Sequence, residues 1–460
     1  MKKSLLGLCI LSALASPTAF AAKPLSTEQR IAALEAHIQA LEAELQQIKA
    51  QPAAATAAPA TATSAEAEVD ALAATPAATN PDDVAASDAT ASVAAPAGDS
   101  SGGSNANAFN PAISIILNGS YSHHSLDPDA YARSGFPLAG EAGPSPDGFS
   151  LGESEVSLAA NIDEKFYGQL TVAIGSEDGE DHLGVEEAFI DTTSLPAGFS
   201  LRAGRFFSNI GYLNGHHAHT DNFFDRPLAY QAFLGGQYGD DGVQLRWVAP
   251  TSMFVELGGE VFRGQNFPSG GAQNGGLGTR TLFAHVGGDV GSENEWLAGV
   301  SMLKTKADDA EDGFSGDSRV YVVDGTWKWA PQGNFKDGGI TLRSEYFLDD
   351  RDGVFIDPAD PTLSTLWNGQ RRGGYLEGVY RLNRTWDVGY RYDKLWADAE
   401  GPYASDFDPY RHSAELTWRN SEFSLLRLQL SHDKPSPDDT DNAVTLQYQT
   451  SLGAHGAHKF

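Results

Sequence analysis

NAVTLQYQTSLGAHGAHKF, residues 442–460, closes this 460-residue chain and decides its fold. Val444, Leu446, Tyr448 and Leu452 alternate with polar residues, and the final residue, Phe460, continues the apolar phase. A period of two predicts a β-strand with one apolar and one polar face. A terminal strand still needs partners on both edges, and a closed barrel provides them by returning it to the first strand. The stretch therefore favours a barrel over the alternative, an antiparallel sandwich.

The same alternation recurs from about residue 108, in short segments separated by glycine, aspartate, asparagine and proline. Sixteen segments fit it: 113–121, 151–162, 166–176, 185–193, 201–207, 243–249, 253–263, 280–290, 295–304, 319–329, 340–348, 374–382, 385–395, 411–419, 423–432 and 443–453. Their lengths suit the roughly 9–11 residues of a membrane-spanning strand. The sequence predicts an all-β fold, an antiparallel transmembrane β-barrel of about 16 strands, over residues 108–460.

The connections alternate in length. Those near Asn383 and Asn420 are tight, whereas long acidic or glycine-rich connections are expected at 127–148, 265–278, 307–318, 349–369, 398–409 and 433–441. In outer-membrane barrels the short turns face the periplasm and the long loops face outward. The pattern therefore predicts that both ends of the barrel lie on the periplasmic side.

Residues 1–21 have the features of a secretory signal peptide: Lys2 and Lys3, an apolar run over 5–15, and Ala19-Phe20-Ala21 before cleavage. The single cysteine, Cys9, lies inside it, and Leu8 before it does not fit a lipoprotein box. The mature chain is therefore expected to lack thiols and disulfides.

Residues 26–50 have the 3-4-3-4 apolar spacing of a coiled coil. The predicted oligomerisation seam is Ile31, Leu34, Ile38, Leu41, Leu45 and Ile48. An amphipathic helix packed on its own domain is the alternative, and the seam alone does not choose between dimer and trimer. Residues 51–107, rich in alanine, proline and threonine, predict a disordered linker.

The formal net charge is −30, and no basic stripe occurs, so nucleic acid is excluded as a partner. Beyond the first twenty or so residues no apolar run reaches the length of about 20 that a spanning helix needs. G-x-S-x-G and H-E-x-x-H motifs do not occur, so we expect no enzyme activity. A surface adhesin is a further alternative, although a coil that precedes a barrel should stay in the periplasm.

Residues 208–242 form the most informative connection, because a surface loop would not carry so many large apolar side chains. They include Phe223, Phe224, Leu228, Tyr230, Phe233 and Leu234. We expect this connection to fold inward and narrow a pore. Strand phase places Arg343, Glu345, Arg391 and Arg427 on the pore lining, and position in or beside the loop adds Arg205, Asp221 and Arg226.

Residues 201–207, Gly211 with Asn214, Asp225-Arg226-Pro227, and Asp241-Gly242-Val243 with Trp247 resemble the phosphate-selective outer-membrane porins, types O and P. The coiled coil and linker are similar to those of trimeric dicarboxylate-type porins. The resemblance implies a trimeric, sixteen-stranded porin for small hydrophilic solutes in a Gram-negative outer membrane. The coil would be periplasmic, and membrane lipid and the barrel-assembly machinery, engaged through the strand ending in Phe460, would be partners. Phosphate-selective members have a basic ladder, whereas here basic and acidic inward residues alternate.

His216, His217 and His219 form a His-His-x-His motif in the same connection, followed by Asp221 and Asp225. Imidazoles and carboxylates at this spacing are typical ligands of Zn²⁺. Polar loop residues in a wet lumen, a weak exchangeable zinc site and a tight structural site all remain open. A divalent-metal or metal-complex uptake channel, or a metal-binding protein, is therefore the alternative function. Apart from weakly bound zinc, we expect no cofactor.

Overall fold

The computed structural model describes residues 111–177, 180–271, 276–308, 310–357 and 360–453. The expected signal peptide (1–21), coiled coil (26–50), linker (51–107) and terminal Phe460 lie outside the described residues. These expectations stay predictions.

The described chain is a succession of strands with one short α-helix. The strands are β1 (Ala112–His123), β2 (Gly148–Ser150), β3 (Ser154–Asn161), β4 (Phe166–Glu177), β5 (Glu180–Thr192), β6 (Phe199–Phe207), β7 (Gly239–Val248), β8 (Phe254–Phe262), β9 (Thr279–Val290), β10 (Asn294–Ala307), β11 (Phe314–Trp329), β12 (Gly339–Asp357), β13 (Asp360–Arg381), β14 (Trp386–Trp396), β15 (Tyr410–Ser421), β16 (Ser424–Lys434) and β17 (Asp441–Gly453). Helix α1 is Leu228–Leu234. In the described part of the chain, no helix is long and apolar enough to cross a membrane.

The sheet closes through its first and last strands. β17 pairs antiparallel with β1, from Ser114 opposite Gly453 to His123 opposite Val444. On its other edge β1 pairs with both β2 and β3, so these two segments are one barrel strand interrupted at residues 151–153. The predicted antiparallel barrel of about 16 strands is confirmed, and β17 closes it.

The two faces of the strands differ in polarity, as the period of two predicts. On β12, Leu342 and Tyr346 are 42% and 43% exposed on the outside, whereas Arg343 and Glu345 are 8% and 1% exposed on the inside. Val323 on β11 repeats the exposed apolar pattern, at 57% exposure. The barrel thus has an apolar outer surface and an inner surface rich in charged groups.

The longest connections, residues 124–147, 208–238, 263–278 and 397–409, lie at the end of the barrel where β1 ends and β17 begins, but at that end β4 is joined to β5 and β12 to β13 by only two residues each. One expected long loop is wrong: residues 349–369 mostly continue β12 and β13 as a projecting hairpin, with Gly353 opposite Trp367. The acidic composition of this stretch suggested a loop, but ladder pairing extends through it.

Candidate functional site

The connection between β6 and β7, residues 208–238, lies against the inner wall of the barrel; we call it the inward loop. Its helix α1 is fully buried, and the ring of Phe233 stacks on Phe347 of β12 with centroids 6.0 Å apart. Tyr230 meets the same ring edge to face at 5.0 Å. Burying each such aromatic side chain contributes roughly 1.5–3 kcal/mol. The apolar content that set this connection apart is therefore a core between loop and wall.

Backbone geometry fixes where the helix begins and ends. Pro227 precedes α1, and Gly235 ends it in the left-handed conformation, with φ of 63°. Gly211 makes a second left-handed turn, with φ of 67°, where its backbone N–H donates to Ser301 of β10 at 2.9 Å. Glycine reaches this region without the steric penalty that other residues incur.

Glu345 is the principal polar anchor of the loop. Its carboxylate accepts hydrogen bonds from the backbone N–H of Tyr212 at 2.9 Å and of Leu213 at 3.3 Å. The hydroxyls of Tyr230 and Tyr375 donate to it at 2.9 Å and 2.7 Å. Hydrogen bonds to a charged group contribute about 1.5–3 kcal/mol each. One inward-facing carboxylate thus fixes both the first turn of the loop and its helix.

Asp225 anchors the far side of the loop. Its oxygens lie 3.0 Å from Nη2 of Arg391 and 2.6 Å from Nη1 of Arg411. Gln429 donates a further hydrogen bond at 2.8 Å. Burial alone would raise the pKa of Asp225, but the charges of Arg411 and Arg391 outweigh it and lower the pKa to about 2. The carboxylate is therefore ionised at neutral pH and holds the loop to β14 and β15.

Arg226 and Asp221 brace the loop internally. Nε of Arg226 lies 2.9 Å from Oδ2 of Asp221, and its Nη1 donates to the carbonyl of Leu213 at 2.7 Å. Burial raises the pKa of Asp221 to about 6, despite the opposing charge of Arg226. Arg427 of β16 donates to the carbonyl of Asp221 at 2.7 Å. The sequence grouped these residues as pore lining, and the structure brings them together as contacts between loop and wall.

Arg343 faces inward as strand phase predicts. It lies 3.2 Å from Glu377 and over the ring of Tyr212. Arg205 does not join this group, because it has the outward phase of Leu201 and pairs with Asp241 near the outer surface. Whether the predicted residues line a conducting path stays a prediction.

Several inward residues were missed by the sequence reasoning. They are Glu155, Asp191, Arg202 and Arg411. Arg202 is the inward arginine of β6, where its guanidinium pairs with Asp191 at 2.9 Å and covers Phe189. Because side chains alternate between the two faces of a strand, the outward position of Leu201 on β6 could have predicted that Arg202 points inward.

Two histidines of the loop meet a set of glutamates on the opposite wall. Nδ1 of His219 lies 2.7 Å from Oε1 of Glu155, and Nδ1 of His217 lies 3.2 Å from Oε2 of the same carboxylate. His217 also lies 3.0 Å from Glu187 and 3.5 Å from Glu186. We call Glu153, Glu155, Glu186, Glu187, His217 and His219 the His–Glu cluster. His216, predicted as a ligand with them, instead stacks on Tyr212.

Electrostatics in this cluster are dominated by crowded carboxyl groups. Burial alone would lower the pKa of His217, but its contacts with Glu155, Glu186 and Glu187 raise it well above 6.5. The shift at His217 expresses the negative charge that the fold gathers around this imidazole.

Comparison with known proteins supports the fold alone. No family model matches the sequence. An uncharacterized protein of Aquifex aeolicus (strain VF5) is 29% identical over 344 residues, which are 68% of this chain and 70% of the relative. OmpF of Salmonella typhi, in complex with daunomycin, is 12% identical with a TM-score of 0.50, over 75% of this chain and 99% of that chain. The channel DcaP of Acinetobacter baumannii is 12% identical with a TM-score of 0.49, over 74% of this chain and 97% of that chain.

Proposed function

We propose that this protein is a porin of a Gram-negative outer membrane, through which small hydrophilic solutes diffuse passively. One observation carries the proposal: the closed barrel has an apolar outer surface and a charged inner surface. Val300, Val323 and Leu376 are 55%, 57% and 58% exposed on the outside. Proteins in water rarely expose continuous apolar patches above about a few hundred Å². A surface of this kind is stable when lipid surrounds it.

The inward loop is the proposed constriction. It is held by apolar packing at α1 and by polar anchors at Glu345 and Asp225, so it occupies part of the lumen in a defined position. We therefore expect a narrower pore than an unobstructed barrel of this size would have. No chemical reaction is involved in this function.

Inward-facing basic and acidic side chains form ion pairs, and this pairing affects the expected ion selectivity of the pore. Arg202 pairs with Asp191, and Arg343 pairs with Glu377. Arg381 pairs with Asp387 at 2.9 Å. Paired charges largely cancel at a distance, so these three pairs, among the described residues, add little to the one-signed field that gives strong ion selectivity. This arrangement supports a general porin over a phosphate-selective one. Trimeric assembly, with the seam from Ile31 to Ile48 in the periplasm, completes the proposal.

Uptake of a divalent metal or a metal complex is the second candidate function. The observation that favours it is the His–Glu cluster, where loop and wall present imidazoles and carboxylates together. In that case the ion would be cargo, and it would have to bind weakly enough to leave.

Recording from planar lipid bilayers tests the proposal. We expect the full-length protein to give ohmic current steps in groups of three, with a small reversal potential in a salt gradient. Strong cation selectivity would favour the metal-uptake candidate. A protein that inserts and carries no current would contradict the porin proposal.

A further inference from the structure

The His–Glu cluster has a composition that the porin function does not require. Two imidazoles from the inward loop contact one carboxylate on β3. The possible metal-ligand atoms of Glu155, His217 and His219, one from each residue, all lie within 4.8 Å of one another. Carboxylate oxygens of Glu153, Glu155 and Glu186 form a second group, in which the atoms also lie within 4.8 Å of one another. Both groups share Glu155, so they form one continuous set of donor atoms.

In the described structure the carboxyl groups of the cluster outnumber the histidines that face them. Among the described residues, the ion pairs of Glu155, Glu186 and Glu187 are all with His217 or His219. Oε2 of Glu186 is buried, accepts no conventional hydrogen bond in the described structure, and has only the 3.5 Å contact with Nδ1 of His217 as an ion pair. Gathering carboxylates away from bulk water is unfavourable unless a cation compensates them. A bound divalent ion would supply that charge.

The donor atoms suit a borderline-soft ion. Zinc binds imidazole nitrogen and carboxylate oxygen at about 2.0–2.2 Å, which in a tetrahedral site puts ligand atoms roughly 3.3 Å apart. Nδ1 of His217 lies at about this spacing from Glu155, at 3.2 Å, whereas Nδ1 of His219 is in direct hydrogen-bond contact at 2.7 Å and would have to move outward. Small side-chain movements would therefore admit the ion between them.

We propose that Glu155, His217 and His219 bind a divalent transition-metal ion such as Zn²⁺, with Glu186 as a further ligand. The ion joins the inward loop to β3, on the side of the lumen away from Glu345 and Asp225. In this role it is a resident ligand that fixes the loop. The effect of the ion on current rests on the porin proposal, whereas binding itself does not.

Calorimetric titration of the full-length, chelator-treated protein in detergent tests the site, with ZnCl₂ as the probe. We expect one high-affinity Zn²⁺ per chain in the wild type. The double variant His217→Ala/His219→Ala should bind at least roughly a hundredfold more weakly, since even outer-shell partners of a metal change affinity about 10–100-fold. Glu155→Gln should have a similar effect, and it tests the site independently if the double variant does not fold.

Two matched controls address other histidines. His216→Ala should bind like the wild type, because His216 stacks on Tyr212 outside the cluster. His412→Ala/His432→Ala removes a pair of neighbouring histidines on the outer face and should also leave the affinity unchanged. Wild-type affinity in folded His217→Ala/His219→Ala, or no Zn²⁺ binding by the wild type, would overturn the proposal. Zinc binding by a protein that carries no current would refute the porin function and leave the site standing.

Discussion

We expect replacement of Gly211 by alanine to release the inward loop from the wall and to widen the proposed pore. An alanine methyl group at this position would overlap Oε2 of Glu345 and lie 2.7 Å from the hydroxyl of Tyr230. The left-handed φ of 67° adds a backbone penalty of about 1–2 kcal/mol for a residue with a Cβ atom. Displacing the carboxylate also weakens its charged hydrogen bonds, each contributing about 1.5–3 kcal/mol. We expect the docked loop to lose at least about 3 kcal/mol, roughly a hundredfold in the ratio of docked to released loop.

Single-channel recording measures this release as larger and noisier current steps. Cleavage of the folded protein by chymotrypsin at the loop aromatics provides a second readout, because the rate follows the population of the released loop when opening is fast. Gly215→Ala is the matched control in the same loop. Gly215 lacks a positive φ, and its added methyl group would approach only Asn209, at 3.3 Å. Equal currents and cleavage rates for both variants would show that the turn at Gly211 does not hold the loop.

Replacing Asp225 by asparagine detaches the other side of the loop. The variant keeps the shape of the side chain but leaves Arg391 and Arg411 to share Asp393 as their nearest remaining carboxylate. The two arginines are buried but the Asp225 side chain is 23% exposed, so we expect a loss below the roughly 3–5 kcal/mol of a fully buried ion pair. We expect faster chymotrypsin cleavage and noisier current. Asp350→Asn, which removes a partly exposed pair with Arg319, should change little, since such pairs contribute about 0–1 kcal/mol.

The Asp225 anchor also predicts a pH dependence. Its pKa falls from an ordinary value of 3.8 to about 2 on folding, so the ionised form stabilises the docked loop. This stabilisation, about 2 kcal/mol, is fully present above pH 4 and is lost as the pH falls through about 2. Asp225→Asn should lack this acid-dependent component. An identical pH profile of loop cleavage in variant and wild type would contradict the assignment.

Strand phase was sufficient to predict the barrel and part of its inner surface. The alternation in β12, β14 and β16 correctly placed Arg343, Glu345, Arg391 and Arg427 on the inward face. Phase alone does not show what those side chains contact. Glu345 is 133 residues from Tyr212, and no local pattern links a strand to a loop at that separation.

The less successful expectations relied on proximity in sequence. Arg205 was grouped with the pore because it precedes the inward loop, although one-residue steps in a strand reverse the face that a side chain occupies. The His-His-x-His motif suggested three ligands, but neighbouring side chains diverge, and only His217 and His219 point toward Glu155. That glutamate is 64 residues from His219 and became visible as a partner only in the folded barrel.

Liposome swelling with neutral sugars of increasing size tests passive diffusion through a lumen narrowed by the inward loop most directly. The full-length wild type should admit monosaccharides and exclude tetrasaccharides, and Gly211→Ala should admit larger sugars than the wild type or Gly215→Ala. Correct insertion is verified beforehand by protease protection in the same liposomes. Swelling no faster than in protein-free liposomes for every sugar would contradict the account.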